Sequence, residues 1–303
     1  MRHVFIINPA AGKVNRTEEL TRQVQALSDE YRVDIIITEG VGDAVNKARA
    51  VVEDGTPARI YVCGGDGTAN EVLTGIAGYD NCALGIIPIG SGNDFVRAID
   101  GYKREDFLDV RRMLAGKERS IDLLECNGRY SMNILSIGFD AEVAKNMERF
   151  KRWPLVSGSL AYKISILYCL FSERRHPVRI QIDGEDFEKA TYENTTMLAV
   201  AGNGKFYGGG IKAAPYADLS DGFIDFIHVS TVSVPRVLSL LMKYTKGTHL
   251  EGNKYPFLTY KRCKKLKYFA EEPIIVNLDG EMYPVKDPEI NLLPNALRII
   301  EPA

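Results

Sequence analysis

The chain has 303 residues, 45% of them hydrophobic and 26% charged, with 38 Lys and Arg against 40 Asp and Glu for a formal charge of −2. That length is enough for two hydrophobic cores, and that composition excludes a disordered chain. The near balance of charge excludes the global basic field that grips nucleic acid, so no nucleic-acid partner is expected.

The first third alternates strand and helix. Residues 4–8 form a short apolar run, read as a buried strand, and turn into a Pro/Gly loop too soon for a signal peptide. Residues 17–29 have helical spacing, with Leu20, Val24 and Leu27 on one face. A second apolar strand is expected over 33–38. A second helix over 43–54 turns Ala44, Ala48, Val51 and Val52 inward. A third strand, 59–63, leads through a Gly-rich turn into a helix over about 69–77. A fourth strand, 83–88, is followed by Gly90-Ser91-Gly92-Asn93-Asp94. Continuous apolar strands alternating with helices predict a parallel sheet covered on both faces. Ligands bind at the carboxyl ends of such strands.

After residue 122 the texture becomes β-rich. Strands are expected over 123–125, 130–137, 178–182, 195–201, 223–229, 264–269 and 274–278. Helices are expected over 151–173 and 234–245. The chain therefore divides into an α/β domain over 1–122 and a β-rich domain over 123–287. The stretch 155–172 is apolar but carries Lys163 and is marginal in length for a bilayer span, so a buried or interfacial helix is expected. Five cysteines stand singly, with no CxxC pair or Cys/His cluster. That speaks against thiolate zinc and for a reducing compartment.

The strongest chemical signal is Cys63-Gly64-Gly65-Asp66-Gly67-Thr68-Ala69-Asn70-Glu71-Val72, between a strand and a helix. Its glycines let the backbone approach a charged ligand, and the helix start offers free N–H groups to phosphate. Thr68 is placed near the N-cap, and Asp66 would need a Mg²⁺ between itself and phosphate. No Gly-x-x-x-x-Gly-Lys-Ser/Thr is present, so this is not a P-loop, and no dinucleotide fingerprint follows the first strand. Two further loops end strands of the same sheet. Asn8-Pro9-Ala10-Ala11-Gly12-Lys13 offers small residues and a point charge, Lys13. In the Gly90–Asp94 loop Asp94 can hold Mg²⁺ or a hydroxyl, and Arg97, one turn on, can neutralise phosphate. Asp279-Gly280 reads equally well as an ordinary hairpin turn.

These three loops resemble the catalytic domain of the diacylglycerol kinase family, which includes sphingosine, ceramide and bacterial lipid kinases. The resemblance continues through Gly202-Asn203-Gly204-Lys205-Phe206-Tyr207-Gly208-Gly209-Gly210, Ala214-Pro215-Tyr216-Ala217-Asp218-Leu219-Ser220-Asp221-Gly222 and Asp279-Gly280-Glu281. It implies an N-terminal α/β domain like that of phosphofructokinases and NAD kinases and a C-terminal β-sandwich, with 288–303 returning onto the first domain. It implies ATP against Asn8, Pro9, Ala10, Ala11, Gly12, Lys13, Thr38, Gly64, Gly65, Asp66, Gly67, Thr68, Ala69, Asn70, Ser91 and Arg97. Asp279 would be the general base on a lipid hydroxyl, with Glu281, Asp66 and Asp94 as the Mg²⁺-linked acidic network. A separate Mg²⁺ would take Asp221 with the backbone carbonyls of Asp218 and Phe223.

The activity so implied is phosphorylation of diacylglycerol by ATP. Phosphatidylglycerol or a sphingoid base stays open as the acceptor, and NAD kinase or a non-catalytic nucleotide- or lipid-binding regulator is a more distant reading. Asp183-Gly184-Glu185 carries the same letters as the late turn and is read as a plain hairpin. The basic run Lys261-Arg262-Cys263-Lys264-Lys265-Leu266-Lys267, with Arg149, Lys151, Arg152 and Trp153, is a candidate membrane face; a solvated edge strand protected by lysines is the equal alternative. The expectation is a cytoplasmic protein bound reversibly to the inner membrane face. The resemblance also allows a homodimer.

Overall fold

The computed structural model describes residues 1–150, 153, 158–171, 176–187, 195–253 and 255–303. Strands β1 (Arg2–Ile7), β2 (Val33–Ile37), β3 (Ala58–Gly64) and β4 (Cys82–Pro88) run parallel in the order 2-1-3-4. Helices α1 (Thr17–Gln25), α2 (Asp43–Val52) and α3 (Asp66–Ile76) connect them. β1, β3 and β4 are buried almost throughout because helices cover both faces, which is why they read as unbroken apolar runs. α2 and α3 pack closely at Gly75, where a Cβ would lie 2.4 Å from the Val45 carbonyl oxygen. The chain reverses its progress across the sheet at β1, so a crevice opens where β1 and β3 end.

Short helices α4 (Asp94–Ala98), α5 (Arg104–Leu108) and α6 (Val110–Leu114) lead to β5 (Lys117–Cys126), β6 (Arg129–Ser131) and β7 (Ile134–Gly138). Then follow α7 (Phe139–Phe150), α8 (Gly158–Phe171), β8 (Arg179–Ile182), β9 (Glu185–Asp186), β10 (Thr196–Gly202), β11 (Ile224–Ser230) and α9 (Val234–Lys246). The remaining strands are β12 (Leu258–Cys263), β13 (Lys265–Phe269), β14 (Ile274–Leu278), β15 (Glu281–Val285) and β16 (Glu289–Glu301).

The first sheet continues past β4. β16 lies beside β4, with Ile299 opposite Leu84, and pairs antiparallel with β5 and β13. A second, antiparallel sheet has the order β12-β11-β10-β7-β14-β15. The two sheets share a core of Leu124, Ile180, Leu266 and Ile290 with Leu135, Ala201, Phe226 and Val276. Val200, Ile227 and Val229, from the other face of the second sheet, pack with Val237, Leu240 and Tyr244 of α9. The architecture is thus an N-terminal α/β domain with a parallel sheet and a C-terminal antiparallel β-sandwich.

Three local expectations are corrected. Of the helix expected over 151–173 the structure describes α8, which starts only at Gly158, while α7, over Phe139–Phe150, lies before that span and was not expected; residues 151, 152, 154–157 and 172–173 lie outside the described residues. α7 starts directly after β7 because Gly138, at φ 99°, turns the chain where a Cβ would strike the Met197 carbonyl at 2.4 Å. The strand expected over 130–137 breaks at Met132 and Asn133, whose N–H groups leave the ladder for a carboxylate. α1 ends at Gln25, four residues early, in consecutive turns through Tyr31. All five cysteines are buried and in no disulfide, and among the described residues no helix is long and apolar enough to cross a membrane.

Candidate active site

The loops that end β1, β3 and β4 meet at the crevice. Asn8 Oδ1 accepts from Ala10 N at 2.9 Å and Asn8 Nδ2 donates to Thr68 Oγ1 at 2.8 Å, so one side chain folds the first loop and fastens it to the second. The second and third loops touch through glycines: a Cβ on Gly90 would lie 2.3 Å from Gly65 Cα. Asp66 then pins the third loop, accepting from Asn93 N at 2.6 Å and Asp94 N at 2.8 Å. Arg104, which sequence reasoning missed, braces the same loop by donating to the Pro88 carbonyl at 2.6 Å.

Gly65 is the N-cap of α3, so Thr68 stands at N3 rather than near the N-cap. The first helical N–H bond of α3 is Ala69 to Gly65, which leaves the N–H groups of Asp66, Gly67 and Thr68 without helical acceptors. Gly65, Asp66 and Gly67 line the cavity, so this positive helix end is open to a ligand.

Asp279 occupies the two-residue turn between β14 and β15, with φ 49° followed by Gly280 at 103°. It is a hairpin turn, and it is also the most heavily bonded carboxylate of the site. Asp279 Oδ1 accepts from Ser131 Oγ, Asn133 N and Ile134 N, while Oδ2 accepts from Met132 N at 2.8 Å. Burial nonetheless pushes its pKa up to about 6, with the Asp66 charge adding to the effect against those hydrogen bonds. Burial also raises Asp66 and Asp94. Asp94 Oδ2 accepts from Gly209 N at 2.7 Å, which brings the glycine loop after β10 to the same point. Its buried Oδ1 accepts no hydrogen bond, although Arg97 Nε stands 3.4 Å away.

A cavity of about 450 Å³ joins these groups to an apolar chamber. Gly65, Gly67, Ser91, Asp94, Asp279 and Glu281 line it, as do Val143 and Met147 of α7, Ile166 of α8 and Leu240, Leu241 and Tyr244 of α9. Glu281 reaches the helix start, since a Cβ on Gly67 would lie 3.0 Å from its Oε1. A fifth acid on the lining, Asp140, was not anticipated. Burial pushes its pKa up to about 6, opposed by Ser136, Ala141 N and Tyr207, and its Oδ2 is buried without a hydrogen-bond partner. Its only sequence signal is an acid two residues past the glycine that ends an apolar strand.

Of the expected nucleotide residues, Gly65, Asp66, Gly67, Ala69 and Ser91 line the cavity. Gly64 and Thr68 stand one layer behind, where a Cβ on Gly64 would strike the Thr68 side chain. Thr38 is buried where its N–H bonds the Ile7 carbonyl. Asn70 Nδ2 donates to the Tyr130 carbonyl at 3.0 Å and so ties α3 to β6. Pro9 and Ala10 hold the first loop, Ala11 is buried, and Gly12, at φ 80°, sits where a Cβ would strike the Ile89 carbonyl. Lys13 and Arg97 are exposed and do not line the cavity.

Among the described residues no three acidic, His or Cys side chains are grouped to hold a metal ion, and both Asp66 oxygens serve the third loop; Asp94, whose Oδ1 accepts no hydrogen bond, and Glu281 are the hard oxygen donors left to share a Mg²⁺ with phosphate. The second expected metal position is different. Asp221 Oδ1 accepts from Phe223 N at 3.0 Å, its Oδ2 is paired with Arg262, and Asp218 Oδ1 accepts from Ser220 N. The cation on Asp221 here is a guanidinium, which a metal would have to displace, and no step is assigned to a metal there. Asp122, also unanticipated, anchors this region by accepting from Gly222 N and Asn295 N, both at 2.8 Å. The Asp183–Gly184 turn is the expected hairpin, and Asp183 Oδ1 also accepts from Lys264 N and Lys265 N.

Residues 2–126 match the model of the diacylglycerol kinase catalytic domain, and residues 133–301 match that of the YegS C-terminal NAD kinase beta sandwich-like domain. The chain is 30% identical to the diacylglycerol kinase of Bacillus subtilis over 91% of its own length and 88% of that protein. It is 33% identical to the diacylglycerol kinase of Mycobacterium tuberculosis over 89% and 85%. The crystal structure of a diacylglycerol kinase from Bacillus anthracis superposes with a TM-score of 0.77 at 25% identity, covering 99% of this chain and 96% of that one. Matches over both domains at these identities establish that the chain belongs to the diacylglycerol kinase catalytic-domain family, a family of phosphotransferases.

Proposed function

We propose that this protein transfers the γ-phosphate of ATP to the hydroxyl of diacylglycerol, giving phosphatidic acid and ADP. The observation that carries this reading is the continuity of one cavity from a glycine-lined helix N-terminus, past a half-buried carboxylate, into an apolar chamber. Acyl chains suit the chamber and phosphate suits the glycine end.

The chain's own residues have distinct tasks. The free N–H groups of the first turn of α3 and the loops after β3 and β4 receive phosphate oxygens. Asp279 Oδ2 carries one hydrogen bond and so retains capacity for another donor, the lipid hydroxyl. With a pKa of about 6 it is ionised at neutral pH, yet basic enough to take that proton as the new O–P bond forms and ADP departs. The exposed Arg97 and Lys13 supply mobile positive charge. Asp94 and Glu281, with Asp66 behind them, would hold Mg²⁺, which when bound neutralises the phosphate oxygens.

The test is transfer of labelled phosphate from ATP to a panel of diacylglycerol, phosphatidylglycerol, sphingosine and ceramide in mixed micelles with Mg²⁺, with NAD as control. Selective labelling of diacylglycerol supports the proposal. Labelling of another lipid changes the acceptor, and labelling of NAD alone, or of nothing, refutes a lipid kinase.

A further inference from the structure

Two of the helices that wall the apolar chamber, α8 and α9, also expose large apolar side chains on their outer sides. On α9, Val237, Leu240 and Tyr244 are buried, whereas Leu238 and Met242 are 49% and 72% exposed. Leu238, Met242 and Lys246 follow one another at four-residue spacing, so they form one outward ridge. Leu241, next to Met242, lines the chamber, so the inner and outer apolar surfaces belong to one thin wall. Just beyond α7, Trp153 is 51% exposed and stands edge-on to Phe150 at 5.0 Å. Phe150 in turn meets Tyr168 of α8 at 5.7 Å, and Tyr168 and Leu160 are 38% and 44% exposed.

Charge identifies what covers this wall. α8 and α9 contain Lys163, Arg236, Lys243 and Lys246 and no acid, in a chain whose net charge is −2. Exposed aromatic and aliphatic side chains on helices whose only charged residues are cations suit the interface of an anionic bilayer. The basic run over 261–267 suits it less, because no large apolar side chain is exposed there; its charges are also engaged within the fold, as Lys243 of α9 is over the Tyr255 ring. Lys265 and Lys267 share Glu289 at 2.5 and 3.0 Å, and Arg262 is paired with Asp221. Lys261 lies over the Phe187 ring and Lys264 over the Phe223 ring.

We infer that the outer wall formed by Trp153, Leu160, Tyr168, Leu238 and Met242 is the face on which this protein rests on an anionic lipid bilayer. The wall separates bilayer from chamber, so an acceptor lipid moves from one apolar medium to the other without crossing water. The inference rests on the lipid-kinase reading, but binding is measurable without turnover.

The experiment is co-sedimentation with vesicles of equal phosphatidylglycerol and phosphatidylcholine, comparing the parent chain with L238E/M242E and K261E/K264E. Placing two carboxylates on an apolar contact should weaken binding by roughly tenfold or more, while the strand variant stays within about twofold of the parent. Phosphorylation of water-dispersed dioctanoylglycerol should be unchanged in L238E/M242E; if no variant or parent phosphorylates any lipid, the lipid-kinase reading fails separately. A second measurement needs no variant. The single tryptophan, Trp153, should shift to the blue and be quenched by brominated phosphatidylcholine in the vesicles. Parent-like binding by L238E/M242E, loss of binding in K261E/K264E instead, or unquenched Trp153 in the sedimented protein would overturn the inference.

Discussion

Replacing Asp279 by Asn separates folding from chemistry. The carboxylate is half-buried, and desolvation raises its pKa from the ordinary 3.8 to about 6. A raised carboxylate pKa means that the native state holds the proton more tightly than the unfolded chain. The associated stability is complete below the ordinary pKa and is lost as pH rises through about 6. At about pH 8 the ionised group therefore costs the fold on the order of 3 kcal/mol, a cost that Asn removes. Against that, an amide cannot accept on both sides. If its oxygen serves Ser131, Asn133 and Ile134, its NH₂ faces the Met132 N–H, and a buried donor against a donor costs about 1–3 kcal/mol. The two effects offset, so the melting temperature should move by no more than a few degrees. The reaction has no such compensation, because Asn cannot take the hydroxyl proton. Turnover of ATP and diacylglycerol should fall by roughly 10²–10⁴, equivalent to about 3–5 kcal/mol of barrier. The assay is kcat/KM in mixed micelles beside a thermal melt and ATP binding. Near-parent turnover would sink the general-base role, and a collapsed melt would make Asp279 a pin for residues 131–134 rather than a base.

The same group should make kcat/KM rise with pH through about 6 and level off above it; a profile flat from about pH 5 to 8 contradicts this. Asp140→Asn should raise the melting temperature at about pH 8 but not near pH 4, because burial lifts the Asp140 pKa to about 6 and only its ionised form strains the fold, by about 1–3 kcal/mol. An equal shift at both pH values would refute the titration argument. Gly90→Ala places a Cβ 2.3 Å from Gly65 Cα, so the two phosphate loops must part; the KM for ATP should rise about tenfold or more, measured at saturating lipid, and an unchanged KM would place the nucleotide elsewhere. Asp221→Ala removes the acceptor of Phe223 N and the partner of Arg262, and should lower stability by about 1–2 kcal/mol in a denaturant titration with or without Mg²⁺; a loss confined to Mg²⁺ buffers would show that a metal, not Arg262, neutralises Asp221.

The sequence by itself determined the α/β frame, because a strand buried on both faces must be an unbroken apolar run, and β1, β3 and β4 are such runs. It determined the meeting of the three loops, because small residues at the ends of neighbouring parallel strands have nowhere else to go. It also marked residues 279–280 as a hairpin. Only the tertiary structure decided that the hairpin's aspartate is half-buried in a set of hydrogen-bond donors. The donors that hold it, Ser131 to Ile134, lie over 140 residues away in the chain, and their departure from the ladder is what splits the expected strand. The same holds for Asp140, whose environment is made by α7, α9 and the loop at Tyr207. It holds again for the lysines over 261–267, whose carboxylate and aromatic partners come from distant strands and loops. Local spacing specifies which face of an element is apolar; what a buried charge meets there is set by long-range packing, which no local pattern encodes.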